Sequence, residues 1–201
     1  MIRIGPACAF AAVLFCAAAP AQQEEKSITP AVQAELEKLK LEIAKWASDK
    51  VVVAAVQDHN KKGPIAGMTN DEWKKLRRRA PEVVAFQTNA VAKLLQAKVE
   101  STKGLVTELF LNGAKGEKVA FLEKTTSYIH AGSAKFDVSF TKGSSWQGKQ
   151  EFDESSQTYQ VQLSVPVVVP PAKEGEKGTV VGVLVVGVNL SKLEPAPAPG
   201  K

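Results

Sequence analysis

Two separate stretches of this sequence carry side chains that could bind a small molecule. In residues 125–130, Tyr128 supplies an aromatic ring and His130 an imidazole, with hydroxyl-bearing residues beside them. Further along, Asp153 and Tyr159 flank the start of a long predicted hairpin. A carboxylate at a strand end can hold a ligand ammonium, and an aromatic ring can stack on an alkyl or cationic group. The alternative is a surface loop with a turn-capping aspartate, and both interpretations stay open from these residues alone.

Catalytic chemistry has little support in the residue types. The chain has two histidines, His59 and His130, and no acidic pair brackets either of them at metal-ligand spacing. No glycine-rich loop with a following lysine joins a strand to a helix, and a Ser-His-Asp triad is hard to assemble from so few histidines. We therefore predict a protein that is not an enzyme and that uses neither a metal nor another cofactor.

Charge and cysteine content narrow the class further. The net charge is +5, and the basic residues are scattered among 21 acidic residues, which does not indicate a nucleic-acid-binding protein.

Residues 1–21 combine an early cation, an apolar alanine-rich middle and a small-residue end, which is typical of a secretory signal peptide cut after Ala21. An uncleaved membrane anchor is the alternative. Both cysteines, Cys8 and Cys16, lie in this segment, so the predicted mature chain has no thiol, no disulfide and no membrane span. The predicted location is periplasmic or secreted.

The first half of the chain predicts helices. Apolar residues recur every three or four positions from Val32 to Trp46, which makes one stripe of an amphipathic helix. The stripe continues less regularly to about residue 60, and Ser48 and Asp49 are expected to kink or restart the helix because both side chains compete for backbone donors.

A second helical region follows a well-marked start. Thr69 and Glu72 have the spacing of a capping box, and Met68 and Trp73 are placed to form a hydrophobic staple across it. Trp73 is therefore interpreted as a structural clamp. Pro81 is expected to kink or split the helix, after which an apolar face continues to the stop at residue 104.

From residue 105 the pattern changes to a period of two, which predicts strands. The predicted strands cover residues 105–111, 118–122, 144–152, 158–165 and 179–188, with a turn at 112–116 and an ambiguous segment at 123–140 that holds a helical turn near 133–138. Pro166 is expected at a bulge, at an edge or where the pairing runs out. The last two strands are predicted to form a long hairpin at the centre of an antiparallel sheet.

Helices followed by about five strands indicate an α+β domain, with a long N-terminal helix and a second helix packed on an antiparallel sheet. The predicted organisation is a signal peptide at 1–21, a flexible lead at 22–30, a single domain at 31–193 and a disordered Pro/Ala tail at 194–201.

Several segments resemble the bacterial extracytoplasmic PAS-like sensor domains known as the single Cache or PDC-like family. The similarity covers about residues 39–194 and is clearest in EFDESSQTYQVQLSVPVVV and GVLVVGVNLSKLE, with a weaker match in TTSYIHAGSAKF. It implies a PAS-like five-stranded sheet with a pocket for an amino acid, an amine or a carboxylate. Tyr128, Lys135 and Asp153 match the family motif, whereas Ser127 and its neighbours at 129–130 and 132–133 depart from it.

The predicted ligand-binding set is therefore Tyr128, His130, Lys135, Asp153 and Tyr159. We expect an exported stand-alone sensor-like domain that binds a small polar ligand and acts through protein-protein contact. The stripe from Val32 to Trp46 could serve a protein partner or a homodimer, although packing onto its own sheet is the more common fate of such a stripe. The alternative is a degenerate domain of the same family that binds no ligand and serves as an interaction or structural module.

Overall fold

The computed structural model describes residues 28–153, 158–173 and 175–193, so the predicted signal peptide, most of the flexible lead and the predicted tail lie outside the described residues. The described part contains these elements in chain order: α1 Pro30–Ala47, α2 Lys50–Lys62, α3 Asn70–Lys75, α4 Pro81–Thr88, α5 Ala90–Ser101, β1 Val106–Asn112, β2 Lys118–Phe121, α6 Ala134–Lys142, β3 Trp146–Asp153, β4 Thr158–Val169 and β5 Thr179–Asn189. A short 3-10 helix, Leu190–Lys192, follows β5.

Side-chain caps set the boundaries of the N-terminal helices. Thr29 accepts a hydrogen bond from the Val32 amide at 3.3 Å, and Pro30 occupies the first turn of α1. Asp49 accepts from the Val51 amide at 3.0 Å and so begins α2. The predicted restart of the helix at Ser48 and Asp49 is therefore confirmed.

The second helical region is divided more often than the sequence pattern predicts. The Thr69 hydroxyl accepts from the Glu72 amide at 3.2 Å, which confirms the cap of α3, and Pro81 begins α4. The prediction that one helical face continues from there to residue 104 is wrong at Asn89. Its side-chain oxygen caps α5 by accepting from the Ala92 amide at 2.8 Å, and its amide nitrogen donates to the Val119 carbonyl at 2.9 Å.

Five antiparallel strands form one sheet in the order β2-β1-β5-β4-β3, so the predicted hairpin of β4 and β5 does lie at its centre. The β3–β4 pairing ends with Trp146 and Ser164. Pro166 follows that pair and is paired with Val183 of β5, so it lies where the pairing with β3 runs out. The ambiguous segment ends in α6, which is longer than the predicted helical turn. The predicted α+β class with a long N-terminal helix is confirmed.

The two faces of the sheet are covered differently. One face, here called the helix face, packs against α1, α2 and α5 through aliphatic side chains such as Leu36, Ile43 and Val56. The other, here called the aromatic face, is covered by a cluster that contains Trp73, Phe110, Phe121, Tyr128, Phe136 and their aliphatic neighbours. The stripe from Val32 to Trp46 is buried on the helix face, so packing onto its own sheet is the outcome for this stripe. Among the described residues, no helix combines the length and apolar character needed to cross a membrane.

Candidate functional site

A pocket of about 530 Å³ opens on the aromatic face of the sheet. Its floor is formed by Glu108 and Phe110 of β1 and by Gln162 of β4, and one wall is formed by the chain from Thr125 to Ser133. Lys135 of α6 lines it from the side. The volume is in the range of small-molecule sites in proteins.

Asn70, the first residue of α3, holds the loop wall in place. Its side-chain oxygen accepts hydrogen bonds from the Tyr128 and Ile129 amides, both at 2.8 Å, and its amide nitrogen donates to the Ile129 carbonyl at 3.0 Å. Three hydrogen bonds from one side chain fix the backbone of the wall before any ligand arrives. Trp73 adds a fourth bond from the same helix, because its indole nitrogen donates to the Thr125 carbonyl at 2.9 Å.

The other side of the wall is fastened to the turn between β1 and β2 and to the first residue of β2. The His130 amide donates to the Gly116 carbonyl at 2.7 Å, and the Lys118 amide donates to the Tyr128 carbonyl at 3.0 Å. Gly116 has a φ of +80°, and a Cβ there would lie 2.3 Å from the Ala131 amide nitrogen. A glycine is required at this point because a side chain would push the turn and the wall apart.

A network of three polar side chains crosses the pocket floor. Lys135 donates from its Nζ to the Gln162 side-chain oxygen at 3.0 Å, and Gln162 donates from its amide nitrogen to the Glu108 carboxylate at 2.8 Å. The β1–β5 register shifts between Val106 and Glu108, and Gly187 of β5 leaves the space in which the Glu108 side chain lies. The floor therefore presents a cation and an anion with a neutral amide between them, which suits a small polar ligand.

Two basic side chains at the pocket each bury a nitrogen that has no hydrogen-bond partner among the described residues. His130 stacks on Phe110 with ring centroids 4.5 Å apart, and its Nε2 has no hydrogen-bond partner among the described residues. Burial lowers the pKa of His130 to about 2, and the neighbouring charges of Lys118 and Lys135 act in the same direction. His130 is therefore neutral at physiological pH.

Lys118 is the second of these groups. Its Nζ is fully buried 3.6 Å from the centroid of the Phe110 ring and has no hydrogen-bond partner among the described residues. Burial lowers the pKa of Lys118 well below 10.5; the Glu108 carboxylate opposes this shift and Lys135 adds to it.

The predicted site residues fall into two groups in space. His130 and Lys135 line the pocket. Tyr128 is fully buried behind the wall, where its hydroxyl accepts from the Ile65 amide at 3.0 Å and its ring lies 5.3 Å from that of Trp73. Its position is that of a support for the wall, as is that of Trp73, the predicted clamp.

Asp153 and Tyr159 lie away from this pocket. Tyr159 is packed against the helix-face cluster and makes an edge contact with Phe152, with centroids 5.3 Å apart. Asp153 ends β3 and pairs with Thr158, and the neighbouring residues 154–157 lie outside the described ranges. The structure therefore brings together only part of the predicted set.

Four residues of the site region were missed by the sequence analysis: Asn70, Glu108, Lys118 and Gln162. Gln162 could have been found, because the alternation of β4 places it on the polar side of a strand that faces water or a cavity. Glu108 could have been found in the same way, because the alternation of β1 places it on the same face as Phe110. The register shift between Val106 and Glu108 instead moves Val106, which packs in the helix-face cluster. Within the described part of the chain, no group of three or more His, Cys, Asp or Glu side chains is placed to hold a metal ion.

Comparison with known proteins gives structural matches alone. No protein-family model matches the chain, and no curated protein matches it. The sensor domain of the V. cholerae histidine kinase DctB matches at 17% identity, over 80% of this chain and 58% of that domain, with a TM-score of 0.37.

Two chemoreceptor domains match in the same way. The ligand-binding domain of the Pseudomonas aeruginosa PAO1 amino acid chemoreceptor PctC, in complex with GABA, is 14% identical over 81% of this chain and 59% of its own, with a TM-score of 0.42. The sensory domain of the Campylobacter jejuni chemoreceptor Tlp3 with isoleucine bound is 16% identical over 83% and 66%, with a TM-score of 0.37. This chain spans less than two thirds of the length of each of these three domains. All three structural matches are thus sensory or ligand-binding domains.

Proposed function

We propose that this protein is an extracytoplasmic sensor-type domain that binds a small polar molecule in the pocket on the aromatic face and carries out no catalysis. The observation that carries the proposal is the floor network, in which Lys135 and Glu108 face the same pocket and are bridged by Gln162. Opposite charges in one partly buried pocket favour a ligand that has polar groups at both ends.

The loop wall supports the same function. A binding site is more effective when its polar groups are held in position before the ligand arrives, since less ordering is then needed on binding. Asn70 fixes the Tyr128 and Ile129 amides, and the Gly116 carbonyl fixes His130 from the opposite side. The sequence resemblance to PAS-like sensor domains points to a pocket on the same sheet.

The test is a thermal-shift screen of the purified protein with amino acids, amines, carboxylates and purines. A ligand present at about 100 times its dissociation constant stabilises the folded state by nearly 3 kcal/mol, which a melting curve resolves. Glu108→Gln and Lys135→Met are expected to reduce or abolish the shift. The matched control is Glu123→Gln, because Glu123 is exposed and outside the pocket. A flat screen on folded protein would contradict the proposal.

The second candidate is a degenerate domain that serves as an interaction or structural module. It is favoured by the position of Asp153 and Tyr159 outside the pocket and by the departures from the family motif at residues 127–133. Because the stripe of α1 is buried on its own sheet, a partner or a second copy would have to contact the outward surface of this helix, where Leu41 is 69% exposed. Light scattering of the wild type and of Leu41→Lys would test this: a dimer that the substitution dissociates supports it, and a monomeric wild type contradicts the homodimer.

Export is part of the same proposal. The pattern of residues 1–21 predicts a mature chain that begins at Gln22 in the periplasm or outside the cell. Cell fractionation followed by N-terminal sequencing checks both points. Protein recovered in the cytoplasm with an intact Met1 would contradict them.

A further inference from the structure

The two edges of the sheet differ in how they are protected. The β2 edge is four residues long, all four are buried, and α4 packs against it. At the other edge, β3 runs for eight residues and is the last strand of the sheet. Among the described residues, no backbone hydrogen bond joins residues 146–153 to any element other than β4. The free backbone groups of such an edge strand can pair with a further strand.

The charged side chains of this open strand match a second copy of the same strand. Lys149 and Glu151 lie on the same face, where they line a small cavity together with Trp146 and Gln160. Both are exposed, and neither has an ion-pair partner among the described residues. If two β3 strands pair antiparallel about a two-fold axis at Gln150, Lys149 of each copy lies opposite Glu151 of the other. Opposite charges placed across a strand pair in this way are stabilising.

The other face of the strand offers apolar area to the same partner. Phe152 pairs with Tyr159, whose ring packs against the helix-face cluster, so Phe152 lies on that side of the sheet. Its side chain is 38% exposed. Aromatic side chains reach diagonal neighbours across an antiparallel pair, so an added strand would cover part of the exposed Phe152 ring. Burial of apolar area and the charge match therefore favour the same pairing.

We propose that this protein forms a symmetric dimer in which β3 pairs antiparallel with β3 of a second copy, so that two five-stranded sheets join into one. A lysine and the one-residue bulge between Gln147 and Gln150 disfavour pairing with an arbitrary strand. The second copy differs because it brings Glu151 to Lys149 twice. Neighbouring registers of the same self-pair place Lys149 opposite Lys149 or Glu151 opposite Glu151, which is destabilising. This interface is separate from the outward surface of α1 and does not depend on ligand binding.

The test is sedimentation equilibrium of the purified protein between about 1 μM and about 1 mM, because a single strand pair is a small interface and its affinity is expected to be weak. We expect a reversible monomer–dimer equilibrium. Lys149→Glu and Glu151→Lys should each weaken the dimer at least about tenfold, since each replaces two attractive pairs with two repulsive ones. The double variant Lys149→Glu/Glu151→Lys should dimerise like the wild type, because both pairs are attractive again.

Mixing the two single variants tests the register directly. One variant presents two acidic side chains at the edge and the other presents two basic ones, so an equimolar mixture should dimerise although each variant alone does so poorly. The matched controls are Lys93→Glu on α5 and Glu82→Lys on α4, which reverse exposed charges on helices that pack at the β2 side of the sheet. Neither control should change the equilibrium of the wild type. Circular dichroism checks that each variant is folded.

Hydrogen exchange locates the interface independently of substitutions. Amides of β3 should exchange more slowly as the protein concentration rises, while those of β2 should not change. A wild type that stays monomeric at the highest concentration would overturn the proposal, as would a dimer that neither charge reversal weakens. A dimer that only Leu41→Lys dissociates would assign the contact to α1 instead. None of these outcomes bears on the ligand pocket, because the substituted residues lie outside it.

Discussion

The helix face and the aromatic face of the same sheet are built from different residues. The helix face is sealed by aliphatic side chains of three helices and by Trp46. The aromatic face is more polar: it holds the Glu108–Gln162–Lys135 network, and the Lys118 Nζ and the His130 Nε2 are buried there without a hydrogen-bond partner among the described residues. One face is therefore an aliphatic core, while the other combines an aromatic cluster with buried polar groups that face the pocket. This division is common where a site is formed on a stable scaffold.

The largest expected effect tests the helix face. Leu36→Ala removes a fully buried side chain and should lower the free energy of unfolding by about 3 kcal/mol. Leu41→Ala on the same helix, where Leu41 is 69% exposed, should change it by less than about 0.5 kcal/mol. Urea unfolding followed by circular dichroism measures both. Similar losses for the two variants would show that α1 is not packed on the sheet through this stripe.

Two glycines of β5 allow the helix face and the aromatic face to be compared within one strand. A Cβ at Gly182 would lie 2.3 Å from the Asn112 carbonyl oxygen and 2.8 Å from Val56 of α2, and backbone cannot move aside, so Gly182→Ala should lose about 1–3 kcal/mol. A Cβ at Gly187 would lie 2.9 Å from both the Gln160 side-chain oxygen and the Glu108 Cβ. Gly187→Ala should therefore lose less stability but displace Glu108 and weaken ligand binding. Urea unfolding measures the loss of stability in each variant, and calorimetry measures the ligand affinity. A larger loss of stability in Gly187→Ala than in Gly182→Ala would contradict this comparison of the two faces.

Acid pH should destabilise the aromatic face through His130. The folded state keeps this imidazole neutral down to a pKa of about 2, whereas the unfolded chain binds a proton near 6.5. The unfolded state thus holds more protons across this window, so the free energy of unfolding falls as the pH drops below about 6.5. In urea unfolding between pH 7 and pH 4.5, the free energy of unfolding of His130→Leu should fall less steeply with pH than that of the wild type. The Glu123→Gln control should keep the wild-type slope, and equal slopes in all three would contradict a buried neutral His130.

The smallest expected effects come from the helix caps. Thr29→Ala at α1 and Thr69→Ala at α3 each remove one side-chain cap and should lower stability by about 1 kcal/mol. Only Thr69→Ala should also weaken ligand binding, because α3 carries Asn70, which holds the pocket wall. Equal affinity in the two variants would show that the wall does not depend on this helix.

The sequence predicted the architecture better than the site. The period-two pattern of β4 and β5 and the capping residues at Asp49 and Thr69 are local signals, and each is present in the structure. The helix start at Asn89 was missed because its cap is combined with a long-range hydrogen bond to β2, and such bonds leave no periodic signal.

The site depends on features that periodicity does not encode. The alternation in β4 already groups Tyr159 with Val161 and Leu163, which belong to the helix face, and groups Gln162 with the polar side. A stricter use of this alternation would have placed Gln162 rather than Tyr159 at the pocket. The same alternation in β1 would have placed Glu108 beside Phe110. Lys118 was beyond reach, since its burial follows from the aromatic rings around it.

The double fastening of the loop wall bears on how the domain opens. Asn70 ties the Tyr128 and Ile129 amides to α3, while the Gly116 carbonyl and the Lys118 amide tie the same segment to the turn and the second strand of the β1–β2 hairpin. A segment held from both sides cannot detach from one without straining the other. In native-state hydrogen exchange, the amides of Lys118, Tyr128, Ile129 and His130 should therefore exchange as one cooperative unit, which ligand binding would slow as a whole.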